Sequence, residues 1–361
     1  MRVALVILHA DPARGGAERY TADIAEVLAK RGHVVSVLAS DFPQQYVQVN
    51  RVVLKSGGMT RLGQYQQFLD SLDEHLASHS YDIVHAMLPV RRCDLYHPHA
   101  GIAVETPTGL KAVFNPRRVE MAKVERELLT RADSPTVLIL SDYVKQFVTK
   151  HYPSLPDIKL QKLFNSVDLN RFHREEKSTK SPDEVVALVI AQDFERKGVP
   201  QAIEATKLVN QARGPNQPRV RLMIVGKEHA PGVEGDVSFV GETSNIREIY
   251  ASADFFLLPT RHDPCSLVVL EALAMGLPVI TTRQNGAAEI MTEGREGFVL
   301  ERGTVPLLAE KMKQLLDPQL RKQMREAALS LRPRLSQEQH VNRLLEIYES
   351  TRAGSMRGAR R

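Results

Sequence analysis

Short, unbroken apolar runs alternate along the chain with longer stretches in which apolar residues return at helical spacing. Runs of the first kind suit strands buried on both faces, and the second kind suits covering helices. Their regular alternation predicts parallel α/β sheets. The first run, Val3–Leu8, leads through Gly15–Gly16 into an amphipathic helix over Ala17–Arg31, closed by Gly32 as a left-handed cap. Further strands are expected at Val34–Ala39, Tyr81–Met87, Thr136–Ser141 and Ile158–Leu163, with Ser141 as N-cap of the helix through Phe147. A second series has strands Val185–Ala191, Val220–Val225, Val237–Val240, Asp254–Pro259 and Pro278–Thr282. Helices Pro200–Gln211, Asn245–Ser252 and Ser266–Met275 lie between them. After Leu316 the pattern is helical and polar, and its last helix, about Gln337–Thr351, is expected to pack back across the interdomain region.

Residues 170–184 are polar and contain Pro and Ser, which reads as a linker. The expected division is therefore 1–168, an acceptor-side domain, 169–336, a donor-binding domain, and 337–361, a returning helix with a basic tail. A length of 361 residues exceeds the usual size of a single core, which agrees with two domains. The fold class expected is α/β, two doubly wound, Rossmann-like sheets facing a cleft. In such sheets ligands bind beyond the carboxyl ends of the strands.

Composition narrows the function classes. With two cysteines, Cys93 and Cys265, far apart in sequence, there is neither a disulfide framework nor a metal-site pattern. The apolar start is one strand long and lacks a signal peptide's cationic lead, and no run reaches a membrane span, so a soluble cytoplasmic protein is expected. The net charge of +5 is compatible with phosphate, nucleotide or membrane-surface partners. Aromatics are 6 % with no Trp, and no aromatic platforms interleave the basic residues, which argues against nucleic acid. The basic stretch Arg117–Arg131 and the tail read either as a membrane-facing surface or as solvated charge.

The chemistry concentrates in the second half. His262–Asp263–Pro264–Cys265–Ser266–Leu267–Val268 leads from a strand into a helix that Gly276 and Pro278 stop. The first-turn amides of that helix, on Ser266, Leu267 and Val268, make an anion site suited to a diphosphate. Glu271 has Leu267, Val268, Ala274 and Met275 as its neighbours at helical spacing, so no base on its own face pairs with it. A carboxylate there is costly unless donors meet it. A ribose diol supplies two donors, and Glu271 sits roughly 8 Å along the helix from its start, at about 1.5 Å per residue. A structural ion pair to a distant base is the other reading. A second cluster, Gln192–Asp193–Phe194–Glu195–Arg196–Lys197–Gly198, follows a buried strand. Arg196 and Lys197 there can neutralise a leaving diphosphate. Lys227, after the next strand, is a weaker donor contact. In the first half, Gly15 and Gly16 permit close backbone approach to a sugar or phosphate, and a plain tight turn is the alternative. His97 and His99 lie in a strand-end loop, with no further ligand at metal spacing.

The segment from Asp263 to Glu271 resembles the carboxylate–seven residues–glutamate motif of the family-four retaining glycosyltransferases, which have the two-domain GT-B fold. The resemblance implies that Glu271 holds the donor ribose and that Asp263, where Glu is usual, sits near the donor sugar. It implies that Arg196 replaces the arginine usual at Gln192, and that His99, with His97 second, contacts the transferred sugar. Gly15–Gly16 then corresponds to the family's N-terminal glycine loop, and Asn165–Ser166–Val167–Asp168 to its hinge turn. The run Asp193–Val199 is similar to lipopolysaccharide core glucosyltransferases. A metal-independent hexosyltransferase is implied, one that uses UDP-glucose and a glycan or glycolipid acceptor, needs no cofactor, and works as a monomer, peripherally at the inner face of the cytoplasmic membrane. A sugar phosphorylase or sugar-phosphate synthase, and an inactive donor-binding scaffold, are the alternatives.

Overall fold

The computed structural model describes residues 1–99, 101–104, 115–173, 183–229 and 231–358, the side chains of 354–358 excepted. It divides into two compact units, residues 1–164 with 340–361, and residues 165–339. Most of the polar segment 170–184 lies outside the described residues. Its start is anchored in the second unit by Arg332, whose guanidinium donates to the carbonyls of Leu169 (3.1 Å), Phe172 (2.8 Å) and Ala274 (2.6 Å).

Among the described residues the first unit holds seven parallel strands, β1 Arg2–Val6, β2 Val34–Ala39, β3 Asn50–Val53, β4 Ile83–Ala86, β5 Leu95–Tyr96, β6 Thr136–Ile139 and β7 Leu160–Lys162, in the order β3-β2-β1-β4-β5-β6-β7. Strand β1 shows why its run is unbroken. Val3 and Leu5 enter the core shared with helix Gly16–Lys30, while Ala4 and Val6 enter the core under helix Arg61–Ser78. Both faces are covered, so no position can be polar. Helix Gln337–Gly358 adds Val341, Leu344, Ile347 and Tyr348 to the first of these cores. Its apolar spacing therefore serves the first unit, and the chain's end is part of that unit rather than an appendage.

The second unit has β8 Glu184–Ile190, β9 Arg219–Val225, β10 Gly232–Glu234, β11 Val237–Gly241, β12 Phe255–Leu258, β13 Val279–Thr282 and β14 Gly297–Leu300. Their order is β10-β11-β9-β8-β12-β13-β14, with only β10 antiparallel to its neighbour. Val185, Ala187 and Val189 of β8 pack under helices Val199–Gln211 and Val305–Gln314. The order reverses between β8 and β12, and their carboxyl ends flank a topological switch point, where open α/β sheets bind ligands.

The expected strands and helices are present, most with ends moved by one or two residues. Four strands had no signal. β3 and β10 are exposed sheet edges, β5 is two residues long, and β14 follows a glycine at the opposite edge. Short or edge strands escape the double-faced burial that writes an apolar run. No helix among the described residues is long and apolar enough to cross a membrane.

Candidate active site

The loop after β8 is built as a miniature helix. Asp193 N-caps Phe194–Lys197, its Oδ1 accepting from the Arg196 amide at 2.9 Å. Gly198 ends the turn in the left-handed region, with φ of 77°. A Cβ there would also lie 2.4 Å from the Pro259 carbonyl oxygen, so glycine is required twice over. That contact lets the loops after β8 and β12 lie against each other. The Arg196 carbonyl accepts from the Arg261 amide (2.9 Å) and the Thr260 hydroxyl (3.2 Å).

This seam fixes the two cations differently. Arg196 donates through Nε to Asp193 (3.0 Å) and through Nη1 to the His262 carbonyl (2.8 Å). These bonds hold the guanidinium in one orientation and occupy part of its donor fork. Lys197 pairs with the Asp263 carboxylate, and the two side chains are only 14 % and 9 % exposed. The residues read from the sequence as separate sugar and phosphate contacts thus form one ion pair. Lys227 instead pairs with Glu242 at 3.0 Å, on the surface.

Asp263 is held from the other side by the loop after β13. Its amide donates to the Gln284 carbonyl (2.8 Å), and its carbonyl accepts from the Gly286 amide (2.9 Å). Asn285 completes the corner. Its Oδ1 accepts from the amides of Ser266 (3.2 Å) and Ala287 (3.1 Å), while Nδ2 donates to Thr281 (3.0 Å). This corrects the anion site expected on three successive amides. Ser266 is the N-cap of helix Leu267–Ala274 and its N–H is already used, so Leu267 and Val268 are the site amides that the helix's own ladder leaves over. Asn165 steadies the same entry by donating to the Cys265 carbonyl at 3.1 Å.

Glu271 is half-buried on that helix and accepts from the Tyr250 hydroxyl at 2.8 Å. Tyr250 is wholly buried, and burial together with the Glu271 charge pushes its phenol well above the ordinary range. The phenol therefore stays a donor. One of the donors that Glu271 requires is thus internal, from a tyrosine 21 positions earlier in sequence. No pattern within the helix could have signalled it.

In the first unit, Gly15 precedes helix Gly16–Lys30 with φ of 177°, an extended backbone open to any residue. The tight-turn reading of the glycine pair therefore lacks support in a left-handed conformation. His97 is fully buried, and neither ring nitrogen has a hydrogen-bond partner among the described residues. The His99 ring lies against it at 4.0 Å between centroids, tilted by 42°, and Tyr20 lies 4.1 Å from His99. His85 stacks on His97 at 5.4 Å between centroids. The C-terminal helix closes this cluster. Tyr20 Oη bonds His340 Nε2 (2.9 Å), His340 Nδ1 donates to the Phe164 carbonyl (2.7 Å), and Tyr348 bonds His85 Nδ1 (2.8 Å). Burial pushes His85 down to about 3 and His340 to about 4, and drives His97 and His99 well below their ordinary value. All four imidazoles are neutral near pH 7. Sequence reading found the His97–His99 pair because two histidines share a loop. It missed Tyr20, His85, His340 and Tyr348, which come together only through long-range packing.

Comparison with known proteins gives a consistent result. Residues 14–171 match the Glycosyltransferase Family 4 model, and residues 170–330 match the Glycosyl transferases group 1 model. The chain is 26 % identical over 329 residues to the lipopolysaccharide glucosyltransferase WaaG of Escherichia coli K12, covering 84 % of this chain and 85 % of that protein. The crystal structure of WaaG superposes with a TM-score of 0.77 at 24 % identity, over 92 % of this chain and 95 % of that one. A sucrose-phosphate synthase from Thermosynechococcus elongatus gives 0.79 at 19 % identity, over 98 % and 99 %. Anabaena HepE in complex with UDP-glucose gives 0.72 at 18 %, over 97 % and 99 %.

Proposed function

Because the chain belongs to the family-four glycosyltransferases of GT-B fold, we propose that it is a retaining hexosyltransferase that moves glucose from UDP-glucose onto a glycan or glycolipid such as lipopolysaccharide core. The observation that carries this reading is the seam at the switch point of the second sheet. There Arg196, the Lys197–Asp263 pair and the start of helix Leu267–Ala274 converge from loops pinned to one another. The likeness to WaaG supports the acceptor class, and the UDP-glucose complex of HepE supports the donor.

In this reading Glu271, oriented by Tyr250, takes the ribose hydroxyls. The diphosphate lies on the Leu267 and Val268 amides and on the cations of the β8 loop. Negative charge grows on the departing phosphate oxygen during transfer, and fixed donors stabilise it without reorganising. Arg196 is pre-set for this role, because Asp193 and His262 already hold it. Lys197 shares its charge with Asp263, which keeps an ammonium in a largely buried place and leaves the carboxylate to meet sugar hydroxyls. The departing phosphate accepts the acceptor's proton, so no separate base is needed and the anomeric configuration is retained. The Gly15–Gly16 loop and His99 serve the transferred sugar, with His99 neutral and able to give or take a hydrogen bond. Neither cofactor nor metal is required, since side-chain cations and helix amides supply the positive charge. Helix Pro116–Thr130, with the exposed Arg126 and Val119 beside Lys123, which pairs with Glu127 at 4.0 Å, offers a surface for an anionic membrane in this reading.

Thermal-shift and calorimetric titration with UDP-, GDP- and ADP-sugars tests the donor, because a ligand that binds only the folded state raises its stability. UDP-glucose should stabilise the chain, also with chelator present. Stabilisation by GDP- or ADP-sugars alone, or strict metal dependence of transfer, would overturn the assignment. A sugar-phosphate acceptor is the second reading, favoured by the likeness to sucrose-phosphate synthase. Product analysis with UDP-glucose and either lipopolysaccharide core or hexose phosphates separates the two.

A further inference from the structure

A carboxylate that this chemistry leaves unused lies deep in the first unit. Glu125, on helix Pro116–Thr130, has no exposed surface. It accepts from the Tyr152 hydroxyl at 2.8 Å and from the Ala103 amide at 3.0 and 2.8 Å through its two oxygens. It is also bonded by the Tyr96 hydroxyl and the Val104 amide. A carboxylate without solvent is tolerated only where donors surround it, and apolar residues of similar volume would commonly be no less stable. The donors come from separate places in the chain. Tyr96 ends β5 immediately before His97, Ala103 lies four positions beyond His99, and Tyr152 follows helix Asp142–His151. One side chain therefore clasps the histidine segment from both ends.

We propose that Glu125 is a positioning residue for sugar transfer, fixing the segment that carries His97 and His99 so that the His99 imidazole is held in a single orientation. The segment needs such a clasp. Its two histidine rings meet at a tilt of 42°, and His97 has no hydrogen bond to fix either nitrogen among the described residues. Ring contact sets distance but allows rings to slide and flip, whereas bonds at both ends of the segment remove the backbone freedom behind that motion. The proposal rests on the reading of His99 as a contact of the transferred sugar.

Full-length Glu125→Gln keeps the shape and replaces an acceptor oxygen with a donor, which then faces a tyrosine hydroxyl or the Ala103 amide. Three measurements decide the matter. UDP affinity should stay within about twofold of the parent, since the donor loops belong to the second unit, while kcat falls about tenfold or more through lost orientation. In a His99→Ala background the same substitution should cost less than about twofold, because residues acting as one unit are non-additive. Hydrogen exchange should quicken at the Ala103 and Val104 amides. An unchanged kcat, or an undiminished loss in the His99→Ala background, would overturn the proposal. Should Glu125→Gln fail to fold, Tyr152→Phe, which removes one donor and leaves the carboxylate bonded to Tyr96 and Ala103, carries the same comparison. A parent chain that does not bind UDP would refute the donor reading instead. Exchange at Ala103 and Val104 would still decide whether Glu125 clasps the segment.

Discussion

Asp263→Ala separates the stability of the donor seam from its chemistry. The substitution leaves the Lys197 ammonium, 14 % exposed, without its carboxylate partner. Removing one member of a buried pair costs about 3–5 kcal/mol, and the lower end applies here because a little solvent reaches both groups. About 3 kcal/mol corresponds to a drop in Tm of roughly 6–12 °C for a unit of this size. Lys197→Met should cost a similar amount by stranding the carboxylate. The double variant, with no charge left to strand, should recover to within about 1 kcal/mol of the parent, giving a coupling of several kcal/mol. On the proposed mechanism transfer should not recover, because Lys197 would supply the cation at the leaving phosphate, and a loss of about 100-fold or more is expected. Thermal or urea unfolding of the four proteins, alongside initial rates of UDP release, measures both quantities. Additive stabilities would refute the pairing. A double variant that regained full transfer would show the pair to be scaffolding and would remove Lys197 and Asp263 from the chemistry.

Three further perturbations probe other parts of the molecule. Glu271→Gln should weaken UDP affinity about 10- to 100-fold, the loss of one or two charge-assisted bonds, with Tyr250→Phe weaker in the same direction; unchanged calorimetric affinity would remove the ribose role. Acidification should unfold the first unit through its histidines. His85 and His340 have folded values of about 3 and about 4, below the ordinary 6.5, so the unfolded chain binds more protons and stability is lost as pH falls from about 6.5. Each contributes a loss of about 2 kcal/mol between pH 7 and pH 5, and a His340→Gln variant with the same pH slope as the parent would contradict this. Gly198→Ala should destabilise by at least about 2 kcal/mol and slow transfer, since its Cβ would meet the Pro259 carbonyl; a neutral effect in urea unfolding would show that the two loops move apart without cost.

The alternation of buried runs and helical spacing was enough to predict two doubly wound sheets, because strands covered on both faces must be apolar throughout. The segments after β8 and β12 were legible for a related reason. A helix stopped by Gly276, with Glu271 alone among apolar neighbours, and two cations directly after a buried strand are local patterns. Tertiary structure decided what those residues do to one another. That Lys197 meets Asp263, that Asn285 takes the Ser266 amide, and that Tyr250 donates to Glu271 are contacts between segments 19 to 66 positions apart, which leave no trace in spacing.

The first unit shows the limit more sharply. His97 and His99 announced themselves as neighbours in one loop, yet their surroundings come from Tyr20 on the first helix, His85 on β4, and His340 and Tyr348 more than 240 positions later. Sequence by itself determined the helices it predicted and the strands buried on both faces, because that burial is written one residue at a time, while the short and edge strands β3, β5, β10 and β14 left no such run. Only the tertiary structure decided which polar groups are paired and which imidazoles stay neutral. Those properties depend on distance through space and on exclusion of water, and neither is carried by neighbours along the chain.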